Sequence, residues 1–211
     1  MTSEFIKAFT ETLYMVFLSS LLSFVLGSLL SIVLIFTRGG GLRPNVAVYR
    51  VLDLIINLFR SFPFMILIVA MIPLTRLIIG RSIGSTAAIV PLTIAAIPFV
   101  ARLNEGSFLE VDKGVIEAAK AFGATDLQIV FKVMVKEAVP SILLNITMLI
   151  INLIGYSTLA GVVGGGGLGN LAYNYGYTRF QTEPMVVAVI LTVIIVQAVQ
   201  SLGNLLYKKF K

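Results

Sequence analysis

The sequence predicts an all-α membrane protein with five transmembrane helices. Three observations carry that prediction. Of the 211 residues 58% are hydrophobic and only 12% are charged, far from the balance of a soluble domain. The chain contains uncharged apolar runs long enough for the roughly 20 residues that a bilayer requires. Its basic residues gather in alternate connections rather than being spread evenly.

Residues 1–12, MTSEFIKAFTET, carry acids and run straight into the first apolar stretch, so no cleavable signal is expected there and this segment reads as external. Leu13 to Phe36 forms the first span. The second covers about 56–78. Its centre, SFPFMILIVAMIPLT, is short for a bilayer, but Arg60 and Arg76 at its ends snorkel and the apolar flanks VLDLIINLF and LIIG extend it. Ser82 to Ala101 supplies the third span. The run from Ala138 to Thr178 is too long for one helix, and its second half, GGGGLGNLAYNYGYT, is too rich in Gly, Asn and Tyr to face lipid. One span at 141–163 is therefore expected, followed by a flexible outer loop. Pro184 to Tyr207 forms the fifth, and 208–211 is a basic tail. Pro63, Pro73, Pro91 and Pro98 remove backbone donors within the second and third spans and permit kinks there.

An odd number of spans puts the termini on opposite sides. One set of connections holds Arg38, Arg43, Arg50, Arg60, Arg102, Lys113, Lys120, Lys132, Lys136, Lys208, Lys209 and Lys211, whereas the other holds only Lys7, Arg76, Arg81 and Arg179. The positive-inside rule then places the N-terminus outside and the C-terminus in the cytoplasm. The same distribution accounts for the net charge of +6 without nucleic acid, since no stacking platform accompanies the basic residues. The absence of cysteine excludes disulfides and thiolate metal sites.

Catalysis has no candidates. There is no His or Cys, and no paired carboxylates lie within the spans, so the usual nucleophile and base arrangements are missing. Gly164, Gly166 and Gly169 satisfy a G-x-G-x-x-G spacing, but they follow a membrane span rather than a strand, and no Lys-Ser/Thr pair completes a phosphate loop. Close backbone packing, or a face for a docking partner, is the simpler reading. Asn145-Ile146-Thr147 matches a glycosylation triplet but lies inside the fourth span. Asn152, Tyr156, Ser157 and Thr158 place polar groups within or near that span, where they either bond to neighbouring helices or line a polar path. Gly155 and Gly161 suit close helix packing.

The stretch EAAKAFGATDLQIVFKVMVKEAVP, Glu117 to Pro140, interrupts this apolar chain with charge. Val115, Ala118, Ala119 and Phe122 recur at i, i+3, i+4 and i+7, giving a narrow apolar stripe on a helix too short to span. Gly123 is placed to end that helix in a left-handed turn, and Thr125 with Gln128 fits a capping box for a second helix. A cytoplasmic helix-turn-helix over 112–138 is expected. Small Ala118 and Ala119 beside Glu117 suit a helix seated in a groove; Lys113 and Lys120 equally suit one resting on lipid headgroups.

E-A-A followed after three residues by Gly123 resembles the cytoplasmic-loop signature of ABC-importer permeases. In that family the signature continues to I-x-L-P, where this chain reads Val133-Met134-Val135-Lys136, with its proline displaced to Pro140. FRSFPFMILIVAMIPLTRLIIG, AAIVPLTIAAIPFVAR and GYSTLAGVVGGGGLGNLAYNYGY are similar to the methionine-import branch, and the likeness covers nearly the whole chain. The resemblance implies the fold of the type I importer permeases and a homodimer in a bacterial inner membrane. It also implies two cytoplasmic ABC ATPase subunits and an external substrate-binding lipoprotein.

By the same resemblance Glu117, Ala118, Ala119, Phe122 and Gly123 form the ATPase-coupling element, and the substrate route falls on Tyr156, Ser157 and Leu159, joined by the polar Asn152. Leu159 stands where related sequences often have Met. The chain itself is expected to bind no cofactor, with ATP and magnesium used by the partner. The implied cargo is methionine, the L form first and the D form as a second candidate. Two rival expectations are another amino acid or short peptide as cargo, and a stand-alone ion-coupled carrier. The latter normally needs intramembrane carboxylates or broken-helix ion sites, which the sequence does not present.

Overall fold

A computed structural model describes residues 2–210; Met1 and the tail residue Lys211 lie outside the described residues. The described chain is helical throughout. Four helices are long and apolar enough to cross a membrane: α1 (Thr2–Thr37), α5 (Ser85–Leu109), α9 (Val139–Ala160, continued by a π turn to Gly165) and α11 (Thr182–Phe210). A fifth crossing is supplied only by a bent pair, α2 (Val46–Ser61) and α3 (Phe64–Ala70), followed by α4 (Ile72–Ile79).

The second expected span, 56–78, is thus corrected from one helix to parts of three. Between α2 and α3 the axis turns by 102° at Phe62–Pro63. Proline disfavours helical backbone in the residue before it, and Phe62 adopts φ −73°, ψ 125° accordingly. Pro73 lies in the first turn of α4, where its missing N–H costs nothing. Pro91 and Pro98, by contrast, lie inside an uninterrupted α5. The first helix begins at Thr2 rather than Leu13, and α5 runs on past Ala101 through Arg102, Asn104 and Glu105 to Leu109. Those polar residues remain helical because each finds a partner, as described below.

α5 is the central helix, packed against α1, α2, α3, α4 and α9. Its closest neighbour is α1, which presents Ser19, Ser23, Gly27 and Ser31 as a buried stripe of small residues one turn apart. Small residues let helix axes approach within a membrane. At Gly27 a Cβ would stand 2.6 Å from Val100 Cβ and 2.8 Å from the Ile97 carbonyl oxygen, so nothing larger fits without a shift. The main core is built from Met15, Val16, Phe64, Leu92, Val100, Leu149 and Leu153 on α1, α3, α5 and α9. A separate cluster at one end joins Ile35 and Phe108 to Ile129, Val130 and Met134, and another at the opposite end joins Ala8 to Leu168, Leu171 and Ala188. α11 buries only Pro184, Ala188 and Gly203, leaving most of its surface for lipid or another chain.

Candidate functional site: the α6 end and the open face of α9

α6 (Lys113–Ala121) starts at Asp112, whose Oδ1 accepts from the Gly114 and Val115 amides at 2.6 and 3.3 Å. It stops at Gly123, which adopts φ +76°. The Ala124 amide donates to the Ala119 carbonyl at 3.0 Å and the Gly123 amide to the Lys120 carbonyl at 2.9 Å, the paired bonds of a Schellman end. The next helix opens with the expected capping box: Gln128 N–H donates to Thr125 Oγ1 at 3.4 Å, and Thr125 N–H to Gln128 Oε1 at 2.9 Å. It comprises α7 (Asp126–Gln128), a π segment (Ile129–Met134) and α8 (Val135–Glu137). Ile129, Val130 and Met134 anchor it in the end cluster, while Arg43 Nε donates to Asp126 Oδ2 at 2.5 Å and ties it to the α1–α2 connection.

The expected apolar stripe of α6 is split by this seating. Ile116 and Ala119 turn inward onto the end cluster. Val115, Ala118 and Phe122 stay exposed with Glu117, Phe122 at 92%. Phe122 is accompanied by exposed Leu127 and Phe131 on the second helix. A helix anchored on one side and apolar on its free side is suited to fill a groove.

The base of this element is held by polar contacts that the sequence reading does not contain. Glu105, 4% exposed, accepts from Tyr49 OH at 2.9 Å and from Arg102 Nη1 at 2.7 Å, and Arg102 also pairs with Asp53. Asn104, 1% exposed, donates to Ser28 Oγ at 2.9 Å and accepts from Asn145 Nδ2 at 3.0 Å; Asn145 donates as well to Ser107 Oγ at 2.8 Å. The final turns of α5 are thereby tied to α1, α2 and α9 immediately before the chain enters α6. Hydrogen-bonded charge is tolerated where unpaired charge would not be.

The four candidate path residues do not converge. Ser157 is buried, its hydroxyl donating back to the Ile154 carbonyl at 2.7 Å. Tyr156 stacks on Phe64 with ring centroids 4.4 Å apart. Asn152 and Leu159 share one helical face with exposed Met148 and Gly155, and a Cβ at Gly155 would meet nothing within 4 Å. Leu159 also borders a cleft of about 360 Å³ shared with α10 (Gly167–Ala172) and α11.

At the far end of α9 the glycines form a kink that leads into α10 and a π segment (Tyr173–Thr178), so helix stands where a flexible loop was expected. Gly164, Gly166 and Gly167 adopt φ of +94°, +79° and +78°. The Gly167 amide donates to Glu11 Oε2 at 2.8 Å and the Leu168 amide to Thr12 Oγ1 at 2.9 Å, so α1 caps α10. A Cβ at Gly169 would fall 2.3 Å from Thr158 Cα, and one at Gly161 2.4 Å from the Asn170 amide nitrogen. The glycines serve backbone packing here. Tyr175 donates to Glu4 Oε2 at 2.9 Å, a bond that raises the phenol's pKa, and Arg179 lies over its ring.

Comparison with known proteins gives a consistent result. The chain is 48% identical to the probable D-methionine transport system permease protein MetI of Vibrio cholerae over 94% of its own length and 88% of that protein's. It is 47% identical to the D-methionine transport system permease protein MetI of Escherichia coli K12, with 74% and 72% of the two chains covered. Among solved structures, inward-facing MetNI methionine ABC transporter in its CY5 native crystal form superposes with a TM-score of 0.98 at 44% identity, covering 100% of this chain and 98% of that one. An amino acid ABC transporter, at 20% identity and TM-score 0.81, shares the fold. The family described as binding-protein-dependent transport system inner membrane component matches residues 23–211. The chain belongs to that family, as a membrane permease subunit.

Proposed function

We propose that this chain is the transmembrane subunit of an ATP-driven importer that carries methionine across the bacterial inner membrane by alternating access. The observation that carries the proposal is the half-seated α6. Its inward face is fixed to the ends of α1 and α5, and its outward face, Val115, Ala118 and Phe122, is left bare. In this reading two copies of the chain form the pathway, and a cytoplasmic ATPase subunit receives each α6 in a groove. ATP and magnesium act on the ATPase, and closure of its two subunits reaches the spans through α6 and the polar ties of α5. An external lipoprotein delivers the cargo at the glycine-rich end. The bare face of α9, with Asn152 and Leu159, faces the path, while Tyr156 and Ser157 support it from behind.

Methionine as cargo is supported by the relatives' names and their identity along the chain. The test is uptake of labelled methionine into proteoliposomes holding this chain with its ATPase and binding protein. ATP-dependent accumulation that other amino acids fail to suppress is the expected result; accumulation by the isolated chain down an ion gradient would overturn it. Orientation is tested with single cysteines, which the natural chain lacks. An impermeant reagent applied from outside should label Ser3→Cys and leave Lys209→Cys untouched, and the reverse pattern would invert the topology.

A further inference from the structure

The last turn of α1, the glycine turn after it, the end of α5 and the inner side of α6 enclose a pocket of about 470 Å³. Its floor is apolar, from Ile35, Phe108 and Ile116, and Arg38, Lys113 and Lys120 line it with Glu117 as the single acid. Two arginines at this end have carboxylate partners: Arg43 pairs with Asp126, and Arg102 with Asp53 and Glu105. Arg38 Nη1, however, is buried and meets no hydrogen-bond partner among the described residues. The Arg38 guanidinium, half-buried and without a carboxylate among the described residues, stands in a pocket with two further cations, and that excess of positive charge points to an anionic acceptor supplied from outside the chain.

We propose that this pocket binds the phosphate group of an anionic phospholipid. Depth favours a lipid. The apolar run Leu13 to Phe36 spans about 36 Å as helix, so Arg38, two residues beyond it, stands where hydrocarbon gives way to headgroups. The arrangement also matches an amphiphile, with cations for the phosphate and an apolar floor for the glycerol and first methylenes. The mouth is open, since a Cβ at Gly39 would meet nothing within 4 Å.

The inference rests on the chain's placement in a membrane and not on its cargo, so binding rather than uptake tests it. The permease assembled with its ATPase is placed in nanodiscs of phosphatidylcholine mixed with phosphatidylglycerol, and retained lipid is counted by native mass spectrometry after release. Phosphatidylglycerol should be retained preferentially, and Arg38→Gln should lower that preference by about fivefold. Gly39→Glu should lower it too by bringing a carboxylate to the mouth, whereas Gly39→Ala should keep it. Equal retention of the two lipids, or an unchanged preference in Arg38→Gln, would overturn the proposal. Displacement of the lipid by millimolar glycerol 3-phosphate would assign the site to a soluble phosphate instead. Loss of co-purifying ATPase in Arg38→Gln with lipid preference intact would assign the pocket to an acidic side chain of that partner. A complex that does not enter nanodiscs at all would refute the membrane placement itself.

Discussion

Gly169 and Gly123, at opposite ends of the α1–α5–α9 bundle, use the missing Cβ in opposite ways. At the α10 end, glycines press backbone against backbone at Gly161 and Asn170 and at Gly169 and Thr158, while Gly167 lies against the side chains of Thr12 and Met15. At the α6 end, Gly123 turns the chain through φ +76° with open space around it, and the helix it terminates leaves an apolar face uncovered. One end is closed on itself and the other is left incomplete. The contrast teaches that a glycine-rich motif and a helix-stop glycine must be judged by what surrounds the missing Cβ, because φ alone is alike at Gly123 and Gly167.

Substitution at the closed end should damage the fold most. Gly169→Val forces a side chain onto the Thr158 backbone. Overpacking of this kind costs about 1–3 kcal/mol, and more where backbone rather than a flexible side chain must yield. The expected outcome is a marked fall in thermal midpoint in detergent and poor recovery from membranes. A midpoint equal to that of the parent would show that the α9–α10 contact is slack. At the open end, Gly123→Ala meets no atom but must still hold a left-handed residue, at about 1–2 kcal/mol. Its effect should appear as fraying of α6, read by faster amide exchange at Ala119 to Ala124 while the spans stay protected.

A smaller loss is expected from Thr12→Val, which removes the acceptor for the Leu168 amide but keeps the side chain's size. A lost hydrogen bond of this type is worth about 1 kcal/mol. The change should loosen α10 while leaving ATPase assembly intact. Smallest of all, Gly155→Ala adds a methyl to open space on the bare face of α9 and removes a helix-weakening residue. Stability should stay level or rise slightly. Uptake in that variant reports whether the bare face borders the path, since a purely lipid-facing methyl would leave transport unchanged.

Much of the α6 end was legible in the sequence, because its signals are local. Gly123 as a stop and the Thr125–Gln128 box depend on residues within one turn, and both form as the pattern predicts. What the pattern missed was set by distant partners. Ending the third span at Ala101 treated Arg102 as a boundary, but Tyr49, Asp53 and Asn145 from other helices satisfy Arg102, Glu105 and Asn104 and let α5 continue. The bend at Phe62 was foreshadowed by Pro63, although its size of 102° was not. Hydropathy alone sees SFPFMILIVAMIPLT as a continuous apolar run. The small-residue stripe of α1 was available in the four-residue spacing of Ser19, Ser23, Gly27 and Ser31, a signal obscured by the uniform hydrophobicity around it.

Of the candidate path residues, the structure separates those that were grouped by polarity. Ser157 spends its hydroxyl on its own helix, and Asn152 sits half-buried on the face it shares with Leu159. Polarity within a span marks a bond to be made, and only the helical face tells with what.

The most direct test of the account is Ala118→Trp, studied in the assembled transporter. Ala118 is exposed and off the inward face of α6, so the indole leaves the permease fold and its thermal midpoint unchanged. If the bare face seats in an ATPase groove, the bulk holds the helix away from that surface at about 1–3 kcal/mol, and ATPase co-purification or methionine uptake falls by roughly tenfold or more. Stimulation of ATP hydrolysis by loaded binding protein should be lost with it. Normal assembly, normal stimulation and normal uptake in Ala118→Trp would contradict the docking of α6 and return it to the membrane surface as a headgroup-resting helix.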